Sequence, residues 1–212
     1  MTLIDLSIQD FTQTVASASP APGGGSIAAL CGVLGAALVH MVAGLSMGEK
    51  KYQDVEPLMM ELSEKSNHLQ KKLLELVEKD TFAYNQVLKA YALPKDTPAK
   101  TDLRVQAIED ALKKASTVPF QTLETAAAIM DMVEGVIKNG NSNCLTDAGV
   151  AAEVIAAAVQ GSAYNVYVNL MDIKDEVFSL DLKQKVQIIR NDIQDKTKRL
   201  RKTIEQSINM ES

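Results

Sequence analysis

The run Ile27–Leu45, IAALCGVLGAALVHMVAGL, constrains this chain more than any other: it is built largely of Ala and Gly and carries no charge unless His40 is protonated. A stretch of that length approaches the thickness of a bilayer. However, Ala and Gly drive insertion less than Leu does, and no strongly basic flank orients the segment. The expectation is a helix buried on all sides within a soluble protein. Ala28, Gly32, Ala36, His40 and Gly44 recur every four residues, with His40 read as a packed core histidine. A second run, DAGVAAEVIAAAVQGSAYNVYVNL, repeats the pattern with Ala148, Ala152, Ala156 and Gln160. Small residues in register let helix axes approach closely, which predicts a tight central pair or a dimer seam.

Helical periodicity continues almost everywhere else, and no sustained alternation suggests a sheet. The fold class is therefore all-α: a single-domain helical bundle over residues 1–212, with two central Ala/Gly-rich helices. Ser7 opens a first helix with Asp10 three residues on. A long helix begins near Asp54 and carries the seam Leu62, Ser66, Leu69, Leu73, Leu76, Asp80, Ala83, Val87, Ala90. Thr97-Pro98 reads as cap and first position of the next helix. Pro119 is expected to kink or restart that helix, and Gly140 to close it as a C′ residue. Thr146 is read as the cap of the second Ala-rich helix, and a final amphipathic helix is expected from about Ser179.

Charge and composition narrow the function classes. The net charge is −5, spread along the chain, without the concentrated basic surface that nucleic-acid binding needs. The basic stretch DKTKRLRK is flanked by acids and reads as a solvated helix face. Cys31 and Cys144 are the only thiols and lie outside any metal spacing, which fits a reducing cytosol. The first residues carry no basic n-region of a signal peptide, so a cytoplasmic location is expected. Two histidines, with His68 among polar neighbours, support neither a zinc site nor a Ser–His triad. No metal, nucleic-acid or membrane partner is expected.

Asp80 is the residue that breaks the pattern. It occupies a seam position where periodicity asks for an apolar side chain, and desolvating a carboxylate is costly unless it is paired or faces a wet pocket. Two readings stand: a buried acid satisfied by a neighbouring helix end or lysine, or a general acid/base with a raised pKa. The stretch SPAPGGGS likewise reads either as a connector ending in the N-cap Ser26 or as exposed backbone N–H groups that receive an anion. It lacks the Gly-Lys-Ser/Thr ending of a phosphate loop, and no strand precedes it. The turn GNSNCLTDAG gathers Asn141, Asn143, Thr146 and Asp147 ahead of a helix, which capping alone can explain. Asn165 and Asn169 each need a partner if buried.

In order, SPAPGGGS, KDTFAYNQVLKAYALPK, ASTVPFQTLE, GNSNCLTDAGVAA and GSAYNVYVNL resemble the cyclodeaminase/cyclohydrolase family, from about residue 5 to 200. That family includes the C-terminal half of formiminotransferase-cyclodeaminase and stand-alone bacterial folate enzymes. The resemblance implies a homodimer that acts at the carbon bridging N5 and N10 of tetrahydrofolate, with the folate as substrate and no cofactor. By the same resemblance Asp80 is the catalytic carboxyl, and Gly23, Gly24, Gly25, Ser26, Lys95, Asn141, Asn143 and Asp147 fall on pocket positions. The primary activity implied is formiminotetrahydrofolate cyclodeaminase, with methenyltetrahydrofolate cyclohydrolase as the alternative and a non-catalytic folate-binding dimer as a further one.

Overall fold

The computed structural model describes residues 2–208. Among them, six α-helices follow one another: α1 Ile8–Val15, α2 Gly24–Gly44, α3 Glu56–Tyr91, α4 Pro98–Asn139, α5 Leu145–Leu170 and α6 Glu176–Ser207. Short 3₁₀ turns at Leu3–Asp5, Lys50–Val55 and Ser142–Cys144 link them, and no strand occurs among the described residues. α2 packs against α3, α4 and α5, while α6 lies on α5 and α4.

The two Ala/Gly-rich helices form the centre, as their small residues imply. They run antiparallel: Gly24 lies beside Asn165, Ala28 beside Gly161, and Gly35 beside Ile155. A Cβ on Gly161 would stand 3.2 Å from that of Ala28, and one on Gly35 only 2.6 Å from Ile155. Here glycine is required by close approach of two helices, not by a special backbone angle. Ala29, Ala36, Val39, Ile155, Ala158 and Val166 are sealed from solvent between these helices and their neighbours.

The expected all-round burial of α2 does not hold. Three sides are covered by α3, α4 and α5, but the fourth exposes Leu34, Met41 and Leu45. His40 is also exposed at the residue level, its Nδ1 3.0 Å from the Ser63 carbonyl oxygen, so it is not a packed core histidine.

Four local expectations change. α4 continues through Pro119 without restarting. Proline deprives the carbonyl four residues earlier, Ala115, of its helical donor; the Asn169 amide of α5 donates to that oxygen at 2.9 Å. Gly140 ends α4 in an extended conformation, φ −80°, rather than a left-handed one. Thr146 lies inside α5, which begins at Leu145 after Cys144, while the Asn141 side chain caps the preceding 3₁₀ turn by accepting from the Asn143 N–H. α6 begins three residues earlier than expected, at Glu176, because Asp175 accepts from the Phe178 N–H. Ser7 and Thr97 cap α1 and α4 as read from sequence.

Candidate active site

The sequence places Asp80 in the seam of α3, and the fold turns that seam toward the first turn of α2. Most of the seam is buried, including Leu73, Leu76, Ala83 and Val87. Asp80 itself is partly buried. Its carboxylate meets the start of α2 so closely that a Cβ on Gly25 would lie 2.0 Å from Oδ1 and 2.6 Å from Oδ2. Gly25 is therefore the position in SPAPGGGS where any side chain collides with the carboxylate. Gly24 has more room, its virtual Cβ 3.4 Å from Asn165 Nδ2, and Gly23 is the side-chain-less N-cap of α2.

Ser26 is not the cap. It is the third residue of α2 and fully buried. Its Oγ lies 2.9 Å from the Val77 carbonyl oxygen and 3.2 Å from Asp80 Oδ2, with Thr81 Oγ1 at 3.3 Å. The hydroxyl thus ties α2 to α3 across the site. The Asp80 carboxylate accepts from the Ser26 hydroxyl and stands at the end of the helix where backbone N–H groups lack partners, a favourable place for a negative charge.

Two opposing effects set the proton affinity of Asp80. Burial pushes its carboxyl above the usual carboxylate range, and the hydrogen bonds from the Ser26 side chain and backbone pull it back down. Burial wins, so the net direction is up. A carboxyl of this kind exchanges a proton nearer neutral pH than an exposed aspartate does. Asn165 joins the site beside Gly24 while its Nδ2 donates to the Gly161 carbonyl at 2.8 Å. The sequence marked Asn165 only as an amide needing a partner; the signal for its place is the antiparallel register of the two small-residue helices.

The other expected site residues lie apart from this cluster. Asn141 donates through Nδ2 to the Leu45 carbonyl at 3.0 Å, and its backbone N–H donates to Ser46 Oγ at 2.7 Å. The turn carrying Asn141, Asn143 and Asp147 therefore sits at the C-terminal end of α2, and the glycine turn sits at its N-terminal end. The 21 residues of α2 separate them by about 31 Å. Asn143 is exposed and Asp147 is partly exposed in the first turn of α5. Lys95 is exposed in the loop after α3, whose end lies about 16 Å along the helix from Asp80. The chain thus brings together Asp80, Gly24, Gly25, Ser26 and Asn165, and holds Asn141, Asn143 and Asp147 at the opposite end of α2.

The chain is similar to known proteins in sequence and fold. Residues 7–188 match the family described as Formiminotransferase-cyclodeaminase. A methenyltetrahydrofolate cyclohydrolase of Methylorubrum extorquens is 39% identical over 173 residues, covering 82% of this chain and 83% of that protein. A formimidoyltransferase-cyclodeaminase of Mus musculus is 36% identical over 176 residues, 83% of this chain but 32% of its own length. The chain thus spans about a third of the formimidoyltransferase-cyclodeaminases it matches. The crystal structure of a formiminotetrahydrofolate cyclodeaminase from Thermotoga maritima superposes with a TM-score of 0.87 at 30% identity, over 97% of this chain and 99% of that one. With a matched region that takes in Asp80, the glycine turn and the Asn141–Asp147 turn, the chain belongs to the formiminotransferase-cyclodeaminase family.

Proposed function

We propose that this chain is a folate one-carbon enzyme, a cyclodeaminase that converts 5-formiminotetrahydrofolate to 5,10-methenyltetrahydrofolate and ammonia. It works as a cytoplasmic homodimer, with no bound cofactor or metal, and binds neither nucleic acid nor membrane. The observation that carries the reading is the raised carboxyl of Asp80, held against the glycine turn at the start of α2.

The chemistry asks for one group that both accepts and donates a proton. N10 attacks the carbon of the protonated formimino group, giving a carbon bonded to N5, N10 and an amino group. Asp80 as carboxylate takes the proton from N10 and delivers it to that amino group. Ammonia leaves as the N10 lone pair completes the methenyl bridge, and the carboxylate is regenerated. A carboxyl of ordinary acidity would accept that proton poorly, whereas one raised by burial does both steps. Gly25 leaves the carboxylate its place against the start of α2, and Ser26 fixes its orientation. Asn165 offers an amide to the polar rim of the substrate, and Lys95 offsets its carboxylates.

The cyclohydrolase reading has its own support in the 39% identity to a methenyltetrahydrofolate cyclohydrolase of nearly matching length. In that reaction Asp80 would take a proton from the water that adds to the bridging carbon. Assaying the purified protein with both substrates decides between them. The cyclodeaminase reading expects methenyl absorbance to rise with 5-formiminotetrahydrofolate at a kcat/KM above that for methenyl hydrolysis. A reversed ratio assigns the cyclohydrolase. Binding of tetrahydrofolate without turnover of either substrate refutes both.

A further inference from the structure

We propose that the p-aminobenzoyl ring of the folate stacks on Tyr84, at the foot of an apolar shelf that α3 presents beyond the start of α2. This rests on the reading of Asp80 as the carboxyl at the reacting carbon. The starting observation is a change of cover along one face of α3. Leu73, Val77, Asp80, Tyr84, Leu88 and Tyr91 follow one another in steps of four and three, so they share that face. α2 runs antiparallel to it, with Gly32 against Leu73 and Gly25 against Asp80. Leu73 and Val77 are buried under α2. Tyr84, Leu88 and Tyr91 lie past its first residue, Gly24, and are exposed.

α5 repeats this from the other side. Gly161 and Asn165 are met by Ala28 and Gly24 of α2, and the next residue on that face, Val168, is exposed. The two faces converge where Tyr91 Oη donates to Asp172 Oδ2 at 3.4 Å, just past the end of α5. α4 backs both walls: Arg104 donates to the Tyr91 carbonyl oxygen at 3.0 Å, and the Ala115 carbonyl accepts from Asn169 at 2.9 Å. The space that α2 fills lower down is therefore open here. Asp80 and Gly24 stand at its foot, Tyr84, Leu88 and Val168 along it, and the Tyr91–Asp172 pair at its far end. An uncovered apolar surface that begins one helical turn from a buried carboxyl is a place for a ligand.

Dimensions assign the occupant. Along the axis of α3, Tyr84 stands about 6 Å beyond Asp80, Leu88 about 12 Å and Tyr91 about 16 Å. With the bridging carbon at Asp80, ordinary bond lengths put the centre of the benzoyl ring about 4 Å from that carbon and the first glutamate carboxylate about 10 Å from it. The ring then falls at the level of Tyr84 and the glutamate near that of Leu88, roughly one turn short of the helix end that Lys95 follows. The bicyclic ring of the folate fits this shelf less well. Its edge carries several hydrogen-bond donors and acceptors, whereas the benzoyl ring has none of its own and the shelf is aromatic and hydrocarbon. Offset stacking on a tyrosine asks only for a flat face, and the bicyclic ring is left to the side of the Asn165 amide.

Tyr84→Ala and Tyr84→Phe test this, with tetrahydrofolate and 6-methyltetrahydropterin, which lacks the benzoyl group, as the two ligands. Tyr84→Ala is expected to raise the tetrahydrofolate Kd and the KM for 5-formiminotetrahydrofolate about ten-fold. It should leave kcat within a few-fold and the binding of 6-methyltetrahydropterin as in wild type. Tyr84→Phe is expected to keep wild-type values throughout, since stacking needs no hydroxyl. An unchanged tetrahydrofolate Kd in Tyr84→Ala overturns the inference. So does an equal loss for 6-methyltetrahydropterin, which would put the bicyclic ring on Tyr84. A Tyr84→Ala protein of altered mass in solution assigns the shelf to contact between copies and overturns it as well. The catalytic reading fails separately: full turnover by Asp80→Asn removes Asp80 from the chemistry, while the Kd values of the Tyr84 variants still decide where the ring lies.

Discussion

Replacing Gly25 with alanine separates the role of the glycine turn from that of a mere connector. The added Cβ would stand 2.0 Å from Asp80 Oδ1, about 1 Å inside the closest separation that Cβ atoms tolerate. The carboxylate must therefore swing away by about 1 Å or more, since α2 is packed on three sides and cannot yield. Overpacking of this kind costs about 1–3 kcal/mol, and the higher helix propensity of alanine returns at most about 1 kcal/mol. A 1 Å displacement of a reacting group lowers the rate by roughly 100-fold. Gly25→Ala is thus expected to stay folded with a modest loss of stability while kcat for methenyl formation falls about 100-fold. Gly24→Ala is the control: its Cβ meets Asn165 Nδ2 at 3.4 Å, an ordinary contact, so activity stays within a few-fold of wild type. Methenyl absorbance and thermal denaturation of both variants are sufficient. A Gly25→Ala protein with wild-type kcat would refute the claim that the turn is glycine-rich to admit the carboxylate.

Ser26→Ala removes a hydrogen bond that favours the charged form of Asp80, so the acid limb of the kcat/KM profile should move to higher pH; an unmoved limb would detach that limb from Asp80. Asn169→Leu strips the Ala115 carbonyl of the donor that replaces Pro119, leaving a buried acceptor unsatisfied. It should cost about 1–3 kcal/mol in chemical denaturation with no change in kcat, and a neutral result would show that the α4 proline needs no outside partner.

The sequence carried most of the architecture because the signals involved are local. Small residues at four-residue spacing mark α2 and α5, and a lone acid in the α3 seam marks Asp80. What it could not carry depends on contacts between distant positions. Ser26 resembles an N-cap because serine before an apolar run usually is one; here Asp80, 54 residues later, meets the helix end and releases Ser26 to bind α3. Pro119 resembles a helix break because its rescuing amide lies in another helix. The glycine turn and the Asn141–Asp147 turn resemble one pocket because both are polar turns flanking apolar helices. Chain order does not reveal that they bound opposite ends of α2. Likewise a uniformly apolar α2 does not disclose which of its sides is left uncovered.

If Asp80 carries the proton transfers, its Asn variant reveals it when activity and stability are measured together. The raised carboxyl binds its proton more tightly folded than unfolded, so it contributes stability at low pH that is lost as pH rises through the folded pKa. Asparagine carries no such loss. Asp80→Asn is therefore expected to melt at or above the wild-type temperature at neutral pH, with the gap narrowing toward acid, while methenyl formation from 5-formiminotetrahydrofolate falls by at least about 100-fold. Turnover near wild type in the folded variant would contradict it.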